Sequence, residues 1–446
     1  MGASDKPAAL VIGAGIAGIQ AALDIASAGF PVYLVEREPS VGGRMSQLDK
    51  TFPTLDCSAC ILTPKMVDVG QHPLITLMTY SEVTAIEGQA GAFHVTVKKK
   101  PRYVDEAKCR GCGDCATACR MTGRIADTFN QGLGKRAAIY VPFPQAVPLI
   151  YTVDPEACLY LTRGVCGKTF KCKDACTTGA INFDQKEQFI ELDVATVIVA
   201  TGFDLMDPRN KPEFGYGVYP NVLTGLEFER LCSAAGPTGG KIIVNGKEPK
   251  DVVLIHCVGS RDPHTGVPYC SRVCCMYTAK HAHLVRDKLP DTHVTAFYMD
   301  VRAFGKGYEE FYDRVKHEQV LYRRGEPSEV YKRGDKLVVR AEDTLLRRTV
   351  EVETDLVVLA TAVVPRSDAA EVAALLDIER SPDGFLQEAH PKYRPVDSSR
   401  PGILIAGCCQ GPKDIPDTVA QAKAAAASAM VMLSTTLLPA REKGRG

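Results

Sequence analysis

Four cysteines, Cys109, Cys112, Cys115 and Cys119, follow one another at intervals of two, two and three intervening residues. Thiolates that close on a short loop are soft ligands, suited to iron, zinc or one another. The first three can hold three irons of one cubane, while the fourth, carried onto the following turn, serves a neighbouring cluster. Gly111 and Gly113 give the loop the left-handed freedom that such wrapping requires. A second set, Cys158, Cys166, Cys172 and Cys176, has the wider intervals seven, five and three. A third, Cys257, Cys270, Cys274 and Cys275, ends in two adjacent thiols. Single-electron transfer is the chemistry that three such sets could share. Structural zinc and disulfides are the alternatives for the first two sets; buried packing thiols or a redox disulfide are the alternatives for the third.

The first spacing resembles the run of bacterial two-cluster ferredoxins, and the wider set is similar to a stretched mirror half of it. In the crossed arrangement that this resemblance implies, Cys109, Cys112, Cys115 and Cys176 hold one 4Fe-4S cluster. Cys158, Cys166, Cys172 and Cys119 hold the other. Arg120 stands where proline is usual, and the loop between Cys166 and Cys172 is long for the pattern.

Electron carriers need a source, and the N-terminal segment supplies one. An apolar strand, Ala9 to Ile12, runs into G-A-G-I-A-G, then a helical stretch, then a second strand that ends on Glu36. Gly13 permits the tight turn, Gly15 lets a pyrophosphate approach the backbone, and Gly18 lets the helix pack on the strand. The helix N-terminus offers its free amides to phosphate, and Glu36 is placed to accept from ribose hydroxyls. Gly42, Gly43 and Arg44 follow closely, resembling the second glycine pair of FAD enzymes of the glutathione reductase class. Ala200-Thr201-Gly202 and Ala360-Thr361 resemble the crossings between the two nucleotide domains of that class. Gly407 closes a last strand; an Asp that binds the ribityl chain follows it there, whereas Cys408 follows it here. The helix after it, from Asp417, aims its positive end at the isoalloxazine. These features select FAD over NAD.

The chain has 446 residues, too many for one core. It reads as an FAD-binding domain over 1–104, an inserted ferredoxin-like iron-sulfur domain over 105–183, and an FAD-domain return over 184–202. A second Rossmann-like domain with a cluster motif spans 203–378, and the FAD-binding domain closes over 379–446. The expected fold class is α/β: a two-Rossmann flavoprotein like thioredoxin and glutathione reductases, with an inserted α+β domain for two 4Fe-4S clusters. The second Rossmann domain lacks a glycine fingerprint where NAD(P)H would bind; Cys257 to Arg261 occupy that place.

The stretches QLDKTFPTLDCSAC at 47–60, YCSRVCCMY at 269–277, FYMDVRAFGKGYEE at 297–310 and GCCQGPKDIPD at 407–417 resemble the A-type subunit of heterodisulfide reductase (HdrA) along nearly the whole chain. The resemblance implies one FAD, about three 4Fe-4S clusters with the third on Cys257, Cys270, Cys274 and Cys275, and a lysine, Lys280, beside the flavin. It also implies partners: B- and C-type subunits (HdrB and HdrC), a hydrogenase or NADH-dehydrogenase-type donor, and a homodimer within the complex. Relative to the methanogen-type protein, this chain is expected to be a short form without the N-terminal cluster domain and the C-terminal ferredoxin domain. The expected role is to split or collect electrons at flavin and relay them through clusters, in heterodisulfide reduction, sulfur oxidation or aromatic-CoA reduction. Two other readings stand beside it, an assembly scaffold with structural cofactors and a direct dithiol/disulfide reductase.

Cations tune a flavin, and Arg44, Arg261, Arg272 and Lys280 are the candidates. Cys57 and Cys60 form a C-x-x-C whose role is open between redox pair, metal ligand and packing. The charges balance, 53 basic against 53 acidic residues, which argues against nucleic acid or a polybasic membrane surface as partner. No apolar run reaches membrane length. Seventeen cysteines and no signal peptide predict a reducing cytoplasm.

Overall fold

The computed structural model describes residues 6–167 and 169–437. The expected tail over 441–446 lies outside them. Two units repeat one plan. In the first, five parallel strands lie in the order Ile403–Ile405, Thr196–Val199, β1 (Ala9–Ile12), β2 (Val32–Glu36) and Ile75–Thr79. Both faces of this sheet are covered, so its strands are continuous apolar runs, with Ala9, Leu10 and Val11 fully buried. The helix α1 (Ile16–Ser27) packs against the Ala-rich helix Ile415–Leu437. A three-stranded antiparallel sheet, Gln188–Val194, Ala92–Lys99 and Ser81–Gln89, leans on the other side. Between β2 and Ile75–Thr79 come a short antiparallel pair, β3 (Lys50–Thr51) and β4 (Asp56–Cys57), and the helix α2 (Ser58–Gln71).

The second unit orders Val222–Thr224, Leu356–Thr361, Asp251–Val258, His293–Tyr298 and Val320–Arg324 in a parallel sheet. It also carries a three-stranded antiparallel sheet, Pro327–Arg333, Lys336–Asp343 and Arg348–Thr354. The chain crosses between units twice, at Asp204–Leu205 and Val363–Val364, and the crossings pair antiparallel.

The segment between Ala92–Lys99 and Gln188–Val194 is built from two-stranded ribbons and short helices. An antiparallel bridge between Val104 and Ile181 closes its base. Its small core, Val104, Ala138, Ile139, Val153, Ala180 and Ile181, includes the buried Cys115 and Cys158. Among the described residues no helix is long and apolar enough to cross a membrane.

Candidate functional site

A cleft of about 910 Å³ lies between the first sheet, the second unit and the inserted segment. Its floor is the turn after β1. Gly13 sits at φ +98°, and a Cβ there would come within 2.5 Å of the Ala200 carbonyl oxygen, so the turn closes only with glycine. A Cβ on Gly18 would strike the Gly13 oxygen, which is why α1 can lie close on β1. Gly15 caps α1 without any side chain on the first amides, and it faces Gly43 across the cleft wall: a Cβ on Gly43 would reach 2.9 Å from the Gly15 Cα. Gly13, Gly15, Glu36, Gly43 and Arg44 all line the cleft, as do Ala200, Thr201, Gly202 and Cys408. Gly18, Gly42 and Gly407 shape its walls from behind and do not line it. The smooth, side-chain-free floor and the open helix end fit a dinucleotide pyrophosphate.

Glu36 accepts from the amides of Ala14 (2.7 Å) and Glu38 (2.9 Å). Burial pushes its carboxyl up and those amides oppose the rise. Arg44 is held at the rim by Asp204 at 3.0 Å. The inserted segment forms a further wall through Tyr140, Pro142 and Phe143, with Phe129 stacked on Phe143 at 4.7 Å between ring centres.

The helix Cys274–Lys288 presents Tyr277, Lys280 and His281 to the cleft, with Val273 just before it. This is helical spacing, so one face of one helix forms a wall. Lys280 is 1% exposed, donates to the Lys50 carbonyl at 2.8 Å and pairs with Glu229. Glu229 also takes the Asp49 amide at 2.9 Å and His281 Nε2 at 2.5 Å. Burial would raise the Glu229 carboxyl, but Lys280 and His281 pull it down to about 2. Burial also lowers His281. A second cation, the half-buried Lys413, lines the cleft and is lowered by desolvation. Glu229, His281 and Lys413 were not among the expected residues; no local pattern marks the Glu229–His281 pair, whose members lie 52 residues apart in sequence.

Arg261 and Arg272 do not line the cleft. Arg261 pairs with Asp300 at 2.7 Å and Arg272 with Asp417 at 2.9 Å, their guanidinium groups turned to the surface. Cys57 and Cys60 also lie outside the cleft, joined as a disulfide.

The thiols of the inserted segment segregate. Burial raises Cys115 to about 12, and Cys109, Cys112 and Cys176 add to the rise. Burial raises Cys172 to about 11, with Cys119, Cys166 and Cys158 adding. Each group of four thus shares one neighbourhood, across the crossed pairing. The Thr178 hydroxyl and the Ala180 amide, at 3.3 Å, counter the effect of burial and lower Cys176. Arg120 lies over the long loop: a Cβ on Gly167 would meet its guanidinium at 2.3 Å. The two departures from the ferredoxin pattern therefore lie against each other. The donors are thiols alone, which fits a soft, thiophilic cluster. Among the described residues no three ligating side chains converge tightly on one point, as a single metal ion would need.

In the second unit Cys257, at φ +57°, packs in one cluster with Cys274 and Cys275. All three are buried. Cys270 is half-buried and accepts the Arg272 amide at 3.3 Å. Arg302 joins it to the trio, with its side chain on Cys270 and its backbone on Cys275. His256 lies beside Cys275, 4% exposed, with neither ring nitrogen hydrogen-bonded. Thr278 Oγ1, one turn on from Cys274, and the Tyr322 hydroxyl are likewise buried without partners. Buried donors lacking acceptors fit a group rich in acceptor atoms, such as the sulfides of a cluster.

The sequence profile of the FAD-dependent oxidoreductase family matches residues 9–58, the segment of the first glycine turn. The chain is similar at 14% identity and TM-score 0.52 to T. acidophilum thioredoxin reductase, covering 96% of this chain and 98% of that one. The Lactococcus lactis thioredoxin reductase gives the same TM-score at 15% identity, over 96% and 100% of the two chains. These likenesses establish the two-Rossmann fold. Closer in sequence are three A-type subunits. That of the H(2):CoB-CoM heterodisulfide,ferredoxin reductase of Methanothermobacter marburgensis is 53% identical over 95% of this chain and 63% of the relative. An iron-sulfur one of the CoB–CoM heterodisulfide reductase of Methanopyrus kandleri is 55% identical over 96% and 64%. That of the Ferredoxin/F(420)H(2)-dependent CoB-CoM heterodisulfide reductase of Methanosarcina acetivorans is 46% identical over 98% and 54%. The chain spans a little under two thirds of the first two of these relatives. It is a homologue of the A-type subunit of heterodisulfide reductase along nearly its whole length.

Proposed function

We propose that this chain is the flavin- and iron-sulfur-bearing electron-transfer subunit of a heterodisulfide-reductase-type complex. The observation that carries the reading is the helix Cys274–Lys288. Its N-terminal thiols belong to the third cysteine set, and within the next two turns Tyr277 and Lys280 of the same helix line the dinucleotide cleft. The inserted segment, which carries the eight cysteines of the other two sets, also lines the cleft from another side through Tyr140, Pro142 and Phe143. FAD takes up electrons in pairs and releases them singly, and 4Fe-4S clusters accept one at a time.

Gly13, Gly15 and the free end of α1 hold the pyrophosphate, and Glu36 orients the adenosine ribose. Lys280 places a buried positive charge in the cleft, fixed in direction by Glu229 and the Lys50 carbonyl. The half-buried Lys413 adds a second cation. The three cysteine sets hold about three clusters. The electron donor, the B- and C-type subunits and a second copy of the chain are the proposed partners. The test is anaerobic isolation with its partners: one releasable FAD, and iron and sulfide near twelve each per chain. Iron near four, with the cysteines of the inserted segment open to alkylation, would reduce the relay to the third set.

A further inference from the structure

The Cys57–Cys60 pair belongs to none of the three sets and does not touch the cleft. We propose that it is a surface thiol–disulfide exchange site whose partner is a protein dithiol. This inference is independent of the cluster assignments.

Three observations place it. Cys60 is exposed and Cys57 half-buried, so an incoming thiolate meets the Cys60 sulfur first. The neighbouring Ile61 is 42% exposed, an apolar contact beside the reactive sulfur. Cys57 is the N-cap of α2, a helix of 14 residues, and its sulfur accepts the Cys60 amide at 3.2 Å. The helix end and that amide favour negative charge on Cys57 and not on Cys60.

The exchange follows from this asymmetry. A thiolate of the partner attacks Cys60 Sγ, the new S–S bond forms there, and the Cys57–Cys60 bond breaks. Cys57 leaves as the stabilised thiolate, the better leaving group of the two. The partner's second thiolate then attacks its own sulfur in the mixed disulfide and expels Cys60. Two electrons and two protons pass to the pair, and the partner's dithiol becomes a disulfide.

The pair is also wired to the cleft wall. Cys57 on β4 lies opposite Lys50 on β3, and the Lys50 carbonyl is the one that receives Lys280. Opening the disulfide frees β4 from the first turn of α2, one cross-strand step from that lysine.

The test uses the FAD-loaded full chain, held anaerobically in buffers of oxidised and reduced dithiothreitol, quenched with an alkylating reagent and read by mass spectrometry. Cys57 and Cys60 should change together and reversibly as a two-electron couple, and thioredoxin should reduce them at least tenfold faster than glutathione at equal thiol. In Cys60→Ala, Cys57 should alkylate at a lower pH than an ordinary thiol. The C57S/C60S protein should keep its FAD. A pair that resists reduction until the chain unfolds is a structural disulfide. A pair that never alkylates when reduced, and gains reactivity only on iron removal, is a ligand pair. Either result overturns the proposal.

Discussion

The two Rossmann units differ most at the end of the strand that starts the cradle. In the first, β1 passes through Gly13 to α1 in one tight turn. In the second, the end of the strand Asp251–Val258 holds Cys257 at a left-handed φ of +57° that glycine would adopt more easily. The space beside Gly259 is filled by Met206, whose sulfur lies 2.2 Å from where a Cβ would be. One fold position is a nucleotide seat in one unit and a thiol site in the other. The chemistry was set by the turn residues and not by the sheet.

The largest expected break in this comparison is Gly13→Ala. The new methyl meets backbone, the Ala200 carbonyl, in a left-handed conformation that costs roughly 1–2 kcal/mol by itself. FAD content after desalting should fall at least tenfold. Gly259→Ala carries a similar left-handed cost at φ +77°, but its methyl meets only the flexible Met206 side chain, so it should leave FAD in place. Equal flavin loss in both variants would mean that the units are not specialised as described. NADH or NADPH mixed with the chain should leave its absorbance near 450 nm unbleached on the turnover timescale, since the second unit has no glycine seat for it.

Next in size is Glu229→Gln. It leaves Lys280 and His281 buried beside a neutral amide, a change of about 3–5 kcal/mol by the usual cost of breaking a buried pair. The pH dependence has a definite sign. The Glu229 carboxyl is lowered from 4.5 to about 2 in the folded chain, so its contribution is full above about pH 4.5 and is lost as pH falls toward 2. His281 is lowered below 6.5, so it binds its proton more readily when unfolded, and acid below pH 6.5 again favours unfolding. Denaturant titrations of wild type and variant between pH 3 and 7 should converge toward the acid end. Parallel curves would assign the loss to packing.

The cysteine sets should separate cleanly. Cys274→Ala should remove one cluster signal in EPR and leave FAD bound. Cys115→Ala should remove a different one and leave the Cys274 signal unchanged. Loss of the same signal in both would merge the two sets.

Much of this was legible in the chain. The glycine turn, Glu36 and the two crossings are local patterns, and local patterns survive in the fold. The crossed grouping of the inserted thiols came from the ferredoxin resemblance, and the neighbours that act on Cys115 and Cys172 agree with it. The Glu229, Lys280 and His281 cluster was not, since Glu229 sits on a helix with its own capping box and nothing near it announces a partner. Nor was the aromatic wall, because Phe129 and Phe143 meet only when two loops fold together. Arg261 and Arg272 show the opposite error: adjacency to cysteines in sequence suggested the flavin, but their side chains find carboxylates at the surface.

The smallest expected effect follows from that last point. Arg261 and Asp300 are 26% and 49% exposed, so Arg261→Gln should cost less than about 1 kcal/mol. FAD content, flavin potential and the pH profile should stay at wild-type values, because water screens the charge and the cleft is lined by other groups. Lys280→Gln is the contrast that sharpens this test. It removes a cation from inside the cleft, where screening is weak and Glu229 is left without its partner, so the flavin potential should fall. A potential that moves equally in Arg261→Gln and Lys280→Gln would show that the field of the second unit acts on the cleft as a whole, and that the specialisation of its strand end reaches further than the residues it touches.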